Sequence, residues 1–282
     1  MADMVWLNGS LQLVSEAAIS PFDHGITVGD GVFETMISYA GVPFAFTRHH
    51  QRLERSAAAM GLEVRPLEEL RDASIELLKA NELTDQLARI RITLTGGPAP
   101  LGSERGDSPH TTLIAATPTP DQGETVDVSV VPYTRNENGA LSGLKTTSYG
   151  ENVVALSFAK ERGSGEAIFA NTKGELCEGT GSNIFIVSDG QLVTPPLAGG
   201  CLAGVTRALT IELSEQEGIP VSEKAVPLVA LHQASEAFLT GTTREVQPIR
   251  NVDGMELPNV PGEITAKLRA AFRALADGKV DP

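Results

Sequence analysis

Cysteine is nearly absent: Cys177 and Cys201 are the only two in 282 residues, and no CxxC spacing surrounds either. A disulfide framework and a thiolate zinc site are thereby excluded. The five histidines, His24, His49, His50, His110 and His232, follow no metal-ligand spacing. Positive charge is also short. Lys and Arg number 22 against 36 Asp and Glu, a formal net charge of -14, whereas a phosphate backbone selects for basic residues in excess. No nucleic-acid partner is expected. No apolar run reaches the roughly 18 to 20 residues that cross a bilayer, and the start of the chain, with Asp3 and no basic region, does not resemble a signal peptide. A cytoplasmic protein without a membrane partner is the expectation. There is no internal repeat and no low-complexity tail.

Hydrophobic residues make up 41% and charged residues 21%, ordinary values for a globular protein. The length suits two domains, each with its own core. Pro118-Thr119-Pro120-Asp121-Gln122-Gly123 has linker composition. The reading is therefore a smaller N-terminal domain over 1–117, a linker over 118–124 and a larger C-terminal domain over 125–282. Strands and helices alternate irregularly in each half, an α/β (α+β) pattern. Asn8-Gly9 and Asp189-Gly190 lie between apolar runs and predict hairpins. Strands are predicted at 32–39, 42–46, 87–94, 111–117, 126–132, 167–170, 183–187 and 237–240. Thr47 reads as the N-cap of a helix over 48–60, and further helices are predicted from Pro66, over 152–162, after Gly204, and over 262–275.

Of seven lysines, six lie in charged helices or hydrophilic turns; Lys145 lies in the small, polar stretch Gly143 to Gly150. An amine that forms a Schiff base and a carboxylate that keeps a pyridine nitrogen protonated are what pyridoxal phosphate asks of a protein. Lys145 and Glu178, the latter among Gly179, Thr180, Gly181, Ser182 and Asn183, are candidates for the two roles. An ordinary turn lysine and a hydrogen-bonded turn glutamate are the alternatives. Gly204-Val205-Thr206 before a helix and Gly241-Thr242-Thr243 after a strand are candidate phosphate turns, because the first N–H groups of a helix favour an anion. Arg52 offers a guanidinium to match. Solvated helix arginines and structural Gly-Thr turns look the same in sequence.

Taken together, 28–36, 50–57, 145–149, 178–185, 204–207 and 239–246 stand in the order seen in class IV pyridoxal phosphate aminotransferases, and the resemblance covers nearly the whole chain. It is similar to branched-chain and D-amino-acid aminotransferases and to aminodeoxychorismate lyase. The resemblance implies fold type IV, two α/β domains with the cofactor in the interdomain cleft, and a homodimer. It implies Lys145 as Schiff-base lysine and proton shuttle, and Glu178 as partner of the pyridine nitrogen. Arg52, Val205, Thr206 and Thr242 would hold phosphate, Tyr149 would lie near the phenolic oxygen, and Phe33, Arg91 and Thr243 would shape the substrate pocket. The implied reaction is ping-pong transfer of an amino group between a branched-chain L- or D-amino acid and a 2-oxo acid such as 2-oxoglutarate. Elimination of pyruvate, and a non-catalytic binding protein on the same scaffold, are the alternatives. The sequence departs from the branched-chain pattern at Thr35, where Gly is usual. It also departs from the D-amino-acid pattern in the 103–107 loop, which keeps Arg105 without a matching histidine. Arg105 is then either a substrate-carboxylate ligand or a loop charge.

Overall fold

A computed structural model describes residues 3–282. Two compact units make up the chain: Met1–Pro120 with Leu144–Tyr149 and Ala276–Pro282, and Asp121–Gly143 with Gly150–Leu275. The first unit thus takes two returns of chain that a reading along the sequence leaves with the second half.

In the first unit β1 (Met4–Leu7) and β2 (Ser10–Leu13) form the hairpin that Asn8-Gly9 predicts. Both turn residues have positive φ, 51° and 111°, the geometry that matches strand twist. A helical turn, α1 (His24–Thr27), leads to β3 (Gly31–Tyr39) and the short β4 (Val42–Pro43). Helices α2 (Phe46–Ala59) and α3 (Leu67–Ala80) precede β5 (Ala88–Thr95) and β6 (Thr111–Pro118). Among the described residues these strands make one six-stranded antiparallel sheet, ordered β2-β1-β6-β5-β3-β4. Val32 and Met36 of β3, Ile90, Ile92 and Leu94 of β5, Leu53 of α2 and Leu70, Leu77 and Leu78 of α3 form its core. Alternation puts Arg89 and Arg91 on the opposite, exposed side of β5, as the period of two requires.

The start of α2 differs from the sequence expectation. Ala45, in the left-handed region at φ 53°, precedes the helix, and no side chain of its own caps it. That kink also stops β4 at Pro43. Thr47 lies inside the first turn, where its N–H donates to Asp281 Oδ1 at 2.9 Å and its hydroxyl to Asp281 Oδ2 at 2.5 Å. Arg71 Nη2 donates to the same carboxylate at 3.0 Å. A residue 234 positions away does the work that a local N-cap usually does.

The second unit runs β7 (Val126–Arg135), α4 (Gly150–Lys160), β8 (Glu166–Asn171), β9 (Leu176–Gly179), β10 (Asn183–Ser188) and β11 (Gln191–Thr194). Then come α5 (Val205–Gln216), β12 (Val221–Glu223), β13 (Glu236–Gly241), β14 (Glu245–Val252), β15 (Met255–Glu256) and α6 (Glu263–Gly278). Among the described residues they form a nine-stranded mixed sheet, ordered β12-β11-β10-β13-β14-β7-β8-β9 with β15 on β14. The Asp189-Gly190 hairpin is present, again with positive φ at both residues, 51° and 74°. Val128, Ile168, Ile184, Ile186, Leu239 and Ile249 fill one core, while Ala155 and Ala159 of α4 pack with Ala167 and Phe169 in another.

Removing the carboxylate that caps α2 tests this end of the first unit. Asp281→Ala is expected to lower stability by about 0.5–2 kcal/mol, the range for loss of a helix cap. Urea unfolding should show a lower midpoint at unchanged slope, and an unmoved midpoint would mean that water caps the helix equally well.

Candidate active site

Residue parity on β3 sorts the first unit's polar groups. Glu34 shares the helix-facing side with Val32 and Met36 and is fully buried. A buried carboxylate is costly unless paired and hydrogen-bonded. Spacing on α2 supplies the partners: His49, Arg52, Leu53, Ser56 and Ala57 form its buried stripe, as a 3.6 period places them. Arg52 Nε donates to Glu34 Oε1 and Nη2 to Oε2, each at 2.7 Å. His49 Nδ1 lies 2.7 Å from Oε2. Burial alone would raise the Glu34 carboxyl, but the Arg52 charge and the hydrogen bonds from Arg52 and His49 outweigh it and hold the group far below the ordinary carboxylate range. Burial pushes the His49 ring below its usual 6.5, and the pull of Glu34 does not offset it.

Leu144–Tyr149 returns to this unit as an added rung. Thr146 bridges Val32, the Phe33 N–H donates to the Lys145 carbonyl at 2.9 Å, and the Thr147 N–H donates to Gly31 O at 2.8 Å. The Lys145 N–H reaches Ser56 Oγ on α2 at 3.2 Å. Lys145 is half-buried, and its Nζ lies 4.3 Å from the Phe33 ring centroid. Phe33 also gathers the Arg91 guanidinium at 3.6 Å and the Tyr149 ring edge-on at 5.4 Å. Phe33 and Thr93 are direct cross-strand partners, so Arg91 reaches the ring along the diagonal. Lys145, Phe33, Arg91 and Tyr149 are therefore one cluster, and Ser56 joins it to the helix that carries Arg52.

In the second unit Glu178 is a strand residue, paired with Phe169 across β8 and β9, and not the turn residue that its glycine-rich neighbours suggest. Its Oε2 accepts the Leu202 N–H at 2.9 Å, and Oε1 lies 3.3 Å from Arg135 Nε. Arg135 itself lies over the Phe169 ring and donates to Asn152 Oδ1. Cys177 and Cys201 are buried nearby; burial, with Glu178's charge adding to it, pushes both thiols far up, that of Cys201 to about 12. Neither is a nucleophile at neutral pH.

Asn183 donates to Leu202 O at 2.8 Å and its Oδ1 stands where a Cβ on Gly204 would be. Only glycine fits there. Gly204 is the N-cap of α5 and has no side chain with which to cap it, which makes the first-turn N–H groups of Val205 and Thr206 candidates for an anion. Thr206 is buried, while Thr242 and Thr243 are half-buried in the turn after β13. Gly241, the last residue of β13, packs near Gly181 in the bend that follows β9, for its Cβ would lie 3.3 Å from Gly181 O. The second unit thus offers first-turn helix N–H groups, threonine hydroxyls and a held carboxylate, and the first unit a pinned lysine, each of a kind that a pyridine bearing a phosphate and an aldehyde calls for. Sequence reasoning left out Glu34, His49, Ser56, Arg135 and Asn183. Glu34 was within its reach, as an acidic residue on the apolar parity of a strand.

The family model described as amino-transferase class IV matches residues 31–252, and the chain belongs to that family. It is a pyridoxal-phosphate-dependent aminotransferase by class, with pyridoxal 5'-phosphate as cofactor. The chain is 37% identical over 278 residues to a putative branched-chain-amino-acid aminotransferase of Methanocaldococcus jannaschii, covering 95% of each. Among solved structures it is similar to the Escherichia coli branched-chain aminotransferase, with a TM-score of 0.92 at 30% identity, covering 98% of this chain and 95% of that one. The enzyme of Thermoproteus uzoniensis with norvaline gives 0.91 at 34%, with the same coverage. The chain is also similar to the D-alanine aminotransferase of Bacillus licheniformis, 31% with 95% of each chain covered, and to the aminodeoxychorismate lyase of Bacillus subtilis, 29% with 96% and 94% covered.

His49 gives the first unit a pH dependence of known sign. Its folded-state pKa is lowered, so below the ordinary 6.5 the unfolded chain binds a proton that the fold refuses. Stability is full above that value and falls as pH drops beneath it, by at most about 1.4 kcal/mol per pH unit for one proton. His49→Asn should flatten the fall in unfolding free energy between about pH 6.5 and 5. An equal slope in both proteins would show that the ring takes up its proton as readily in the fold as in the unfolded chain.

Proposed function

We propose that Lys145 and Glu178 take the lysine and pyridine-nitrogen roles that the family resemblance gives them, and that the chain moves an amino group between an amino acid of the branched-chain L- or D-amino-acid type and a 2-oxo acid such as 2-oxoglutarate. The observation that carries the reading is the folding of Leu144–Tyr149 onto the first sheet, which fixes Lys145 against Phe33 through backbone bonds to Gly31, Phe33 and Ser56. When bound, pyridoxal phosphate supplies an aldehyde to capture the amine and a ring that takes up the electron pair left at the substrate α-carbon.

Lys145 anchors the cofactor in the resting enzyme and, once displaced, carries a proton from the substrate α-carbon as general base and acid. Glu178 holds a proton on the pyridine nitrogen. Leu202 N–H and Arg135 aim its carboxylate. Val205, Thr206 and Thr242 take the phosphate with backbone and hydroxyl donors. Arg52 adds a guanidinium whose angle Glu34 fixes. Because Glu34 already balances that charge, the α5 N-terminus carries much of the neutralisation. Tyr149 would lie near the cofactor's phenolic oxygen, and Phe33, Arg91 and Thr243 would bound the substrate pocket. The reading includes a homodimer, a cytoplasmic setting and domains divided near 118–124, all supported by the resemblance or composition.

Lys145→Ala is expected to lose both turnover and the phosphopyridoxyl label that borohydride leaves on the Lys145 peptide, read by peptide mass. Glu178→Gln should keep the label while kcat falls about a hundredfold or more, the scale for losing one positioned proton or charge. A label on another lysine would overturn the assignment. Glutamate formed from an amino donor and 2-oxoglutarate supports transfer; pyruvate released from aminodeoxychorismate without an acceptor supports elimination instead.

A further inference from the structure

Arg105 ends neither as a solvated loop charge nor open to a substrate. Its Nε donates to Asp30 Oδ2 at 2.6 Å, its Nη2 pairs with Asp30 Oδ1, and its Nη1 donates to Met60 O at 2.5 Å, with Gly61 O at 3.4 Å. All three nitrogens are engaged. Met60 and Gly61 are the C-terminal stop of α2, the helix of Arg52 and Ser56. Asp30 is largely buried and also faces His24 Nδ1 at 3.5 Å.

The two residues that flank Asp30 hold the lysine segment. Gly29 O accepts from the Thr147 hydroxyl at 2.9 Å and the Ser148 hydroxyl at 3.0 Å, and Gly31 O accepts the Thr147 N–H at 2.8 Å. The loop that bears Arg105 is tied to the same strip of chain. Gly96 N–H donates to Asp30 O at 3.0 Å, His24 N–H to Gly97 O at 2.9 Å, and His24 Nε2 lies 3.0 Å from Pro100 O. A Cβ on Gly96 would enter the Asp30 carboxylate, so the loop seats on that side chain directly.

We propose that Arg105 is a positioning residue: by clasping Asp30 and the end of α2 it latches the 96–110 loop to the Gly29–Gly31 turn, and so sets where Lys145 stands. This rests on the reading of Lys145 given above. An exposed ion pair contributes little by itself, but a two-pronged arginine fork with a further backbone carbonyl has one geometry and no slack. The clasp also withholds Arg105 from substrate carboxylates. Specificity for a second carboxylate on the 2-oxo acid then falls to groups other than Arg105.

The test compares cofactor-loaded wild type, Arg105→Ala, Asp30→Asn, the double variant and Arg105→Lys by hydrogen exchange with mass spectrometry and by kinetics. Both single variants should speed exchange in peptides spanning 144–149 as well as 96–110, by about tenfold. In both, kcat should fall by about tenfold, while KM for mono- and dicarboxylic 2-oxo acids moves together. The double variant should be no worse than either single one. Arg105→Lys, with charge but no fork, should fall between, and with Asp30→Asn it carries the test if Arg105→Ala does not fold. Wild-type protection at 144–149, or an unchanged kcat, overturns the latch. So does a raised KM for 2-oxoglutarate in Arg105→Ala with a lowered one in Asp30→Asn, the pattern of a substrate ligand. A wild type that takes no label at Lys145 sinks the reading of the site; a labelled wild type with unmoved variants sinks the latch alone.

Discussion

One carboxylate without solvent, Glu34, sets the terms for the first unit. It occupies a place on β3 where an apolar side chain would cost nothing, and it is tolerable only because Arg52 and His49 meet it with short hydrogen bonds. Those bonds fix the rotation of α2 about its axis as strictly as its apolar contacts do. Leu53 and Ala57 fill volume, whereas the guanidinium fork accepts a single alignment. Once α2 is set, Ser56 is set, and with it the backbone of Lys145. The stability of the unit and the placement of the Lys145 backbone thus draw on the same pairing. An arginine held in this way approaches an anion without rotamer freedom left to lose, which is the advantage of a preorganised donor.

The second unit solves the corresponding problem differently. Glu178 sits on the edge strand β9, where pairing with β8 fixes its Cα, and the carboxylate is then aimed by one backbone N–H and one arginine. Arg135 is held in turn by the Phe169 face and Asn152. Two buried thiols beside it stay protonated, so no competing anion stands next to the carboxylate. The anion cradle depends on exclusion too. Asn183 occupies the space beside Gly204, and a helix that begins with glycine and lacks a side-chain cap leaves its N–H groups for a ligand.

Much of this was legible in the sequence, for physical reasons that differ by residue. The hairpins at Asn8-Gly9 and Asp189-Gly190 were readable because left-handed φ at two successive positions demands those residues. β5 was readable from its period of two. Lys145 stood out by the smallness of its neighbours, which the structure explains: the segment is a rung against β3, where bulk would keep it off the sheet. What local pattern carries no trace of is a partner distant in sequence. Thr47 has the chemistry of an N-cap, yet Asp281 caps the helix and Thr47 only binds Asp281. Glu178 has turn residues after it and looked like one of them, because a four-residue strand between buried neighbours shows too little period to read. The return of 144–149 to the first unit is invisible for the same reason, since its bonds run to residues 29–33 and 56.

Arg105 shows how such distant partners decide function. Sequence left two readings, a ligand for substrate or a bare charge, and both assumed that its partner was either mobile or absent. Geometry supplies a fixed one. A guanidinium that spans Asp30 and the last carbonyls of α2 joins the three segments on which Lys145 depends: the 29–31 turn, the helix with Ser56, and the loop between β5 and β6. The single hydrogen bonds among these segments tolerate small sliding. The fork does not tolerate it, because two parallel bonds to one carboxylate fail together when either partner rotates. Loop sequence can therefore vary around this residue while the clasp that ties the loop to the 29–31 turn and to α2 stays in place.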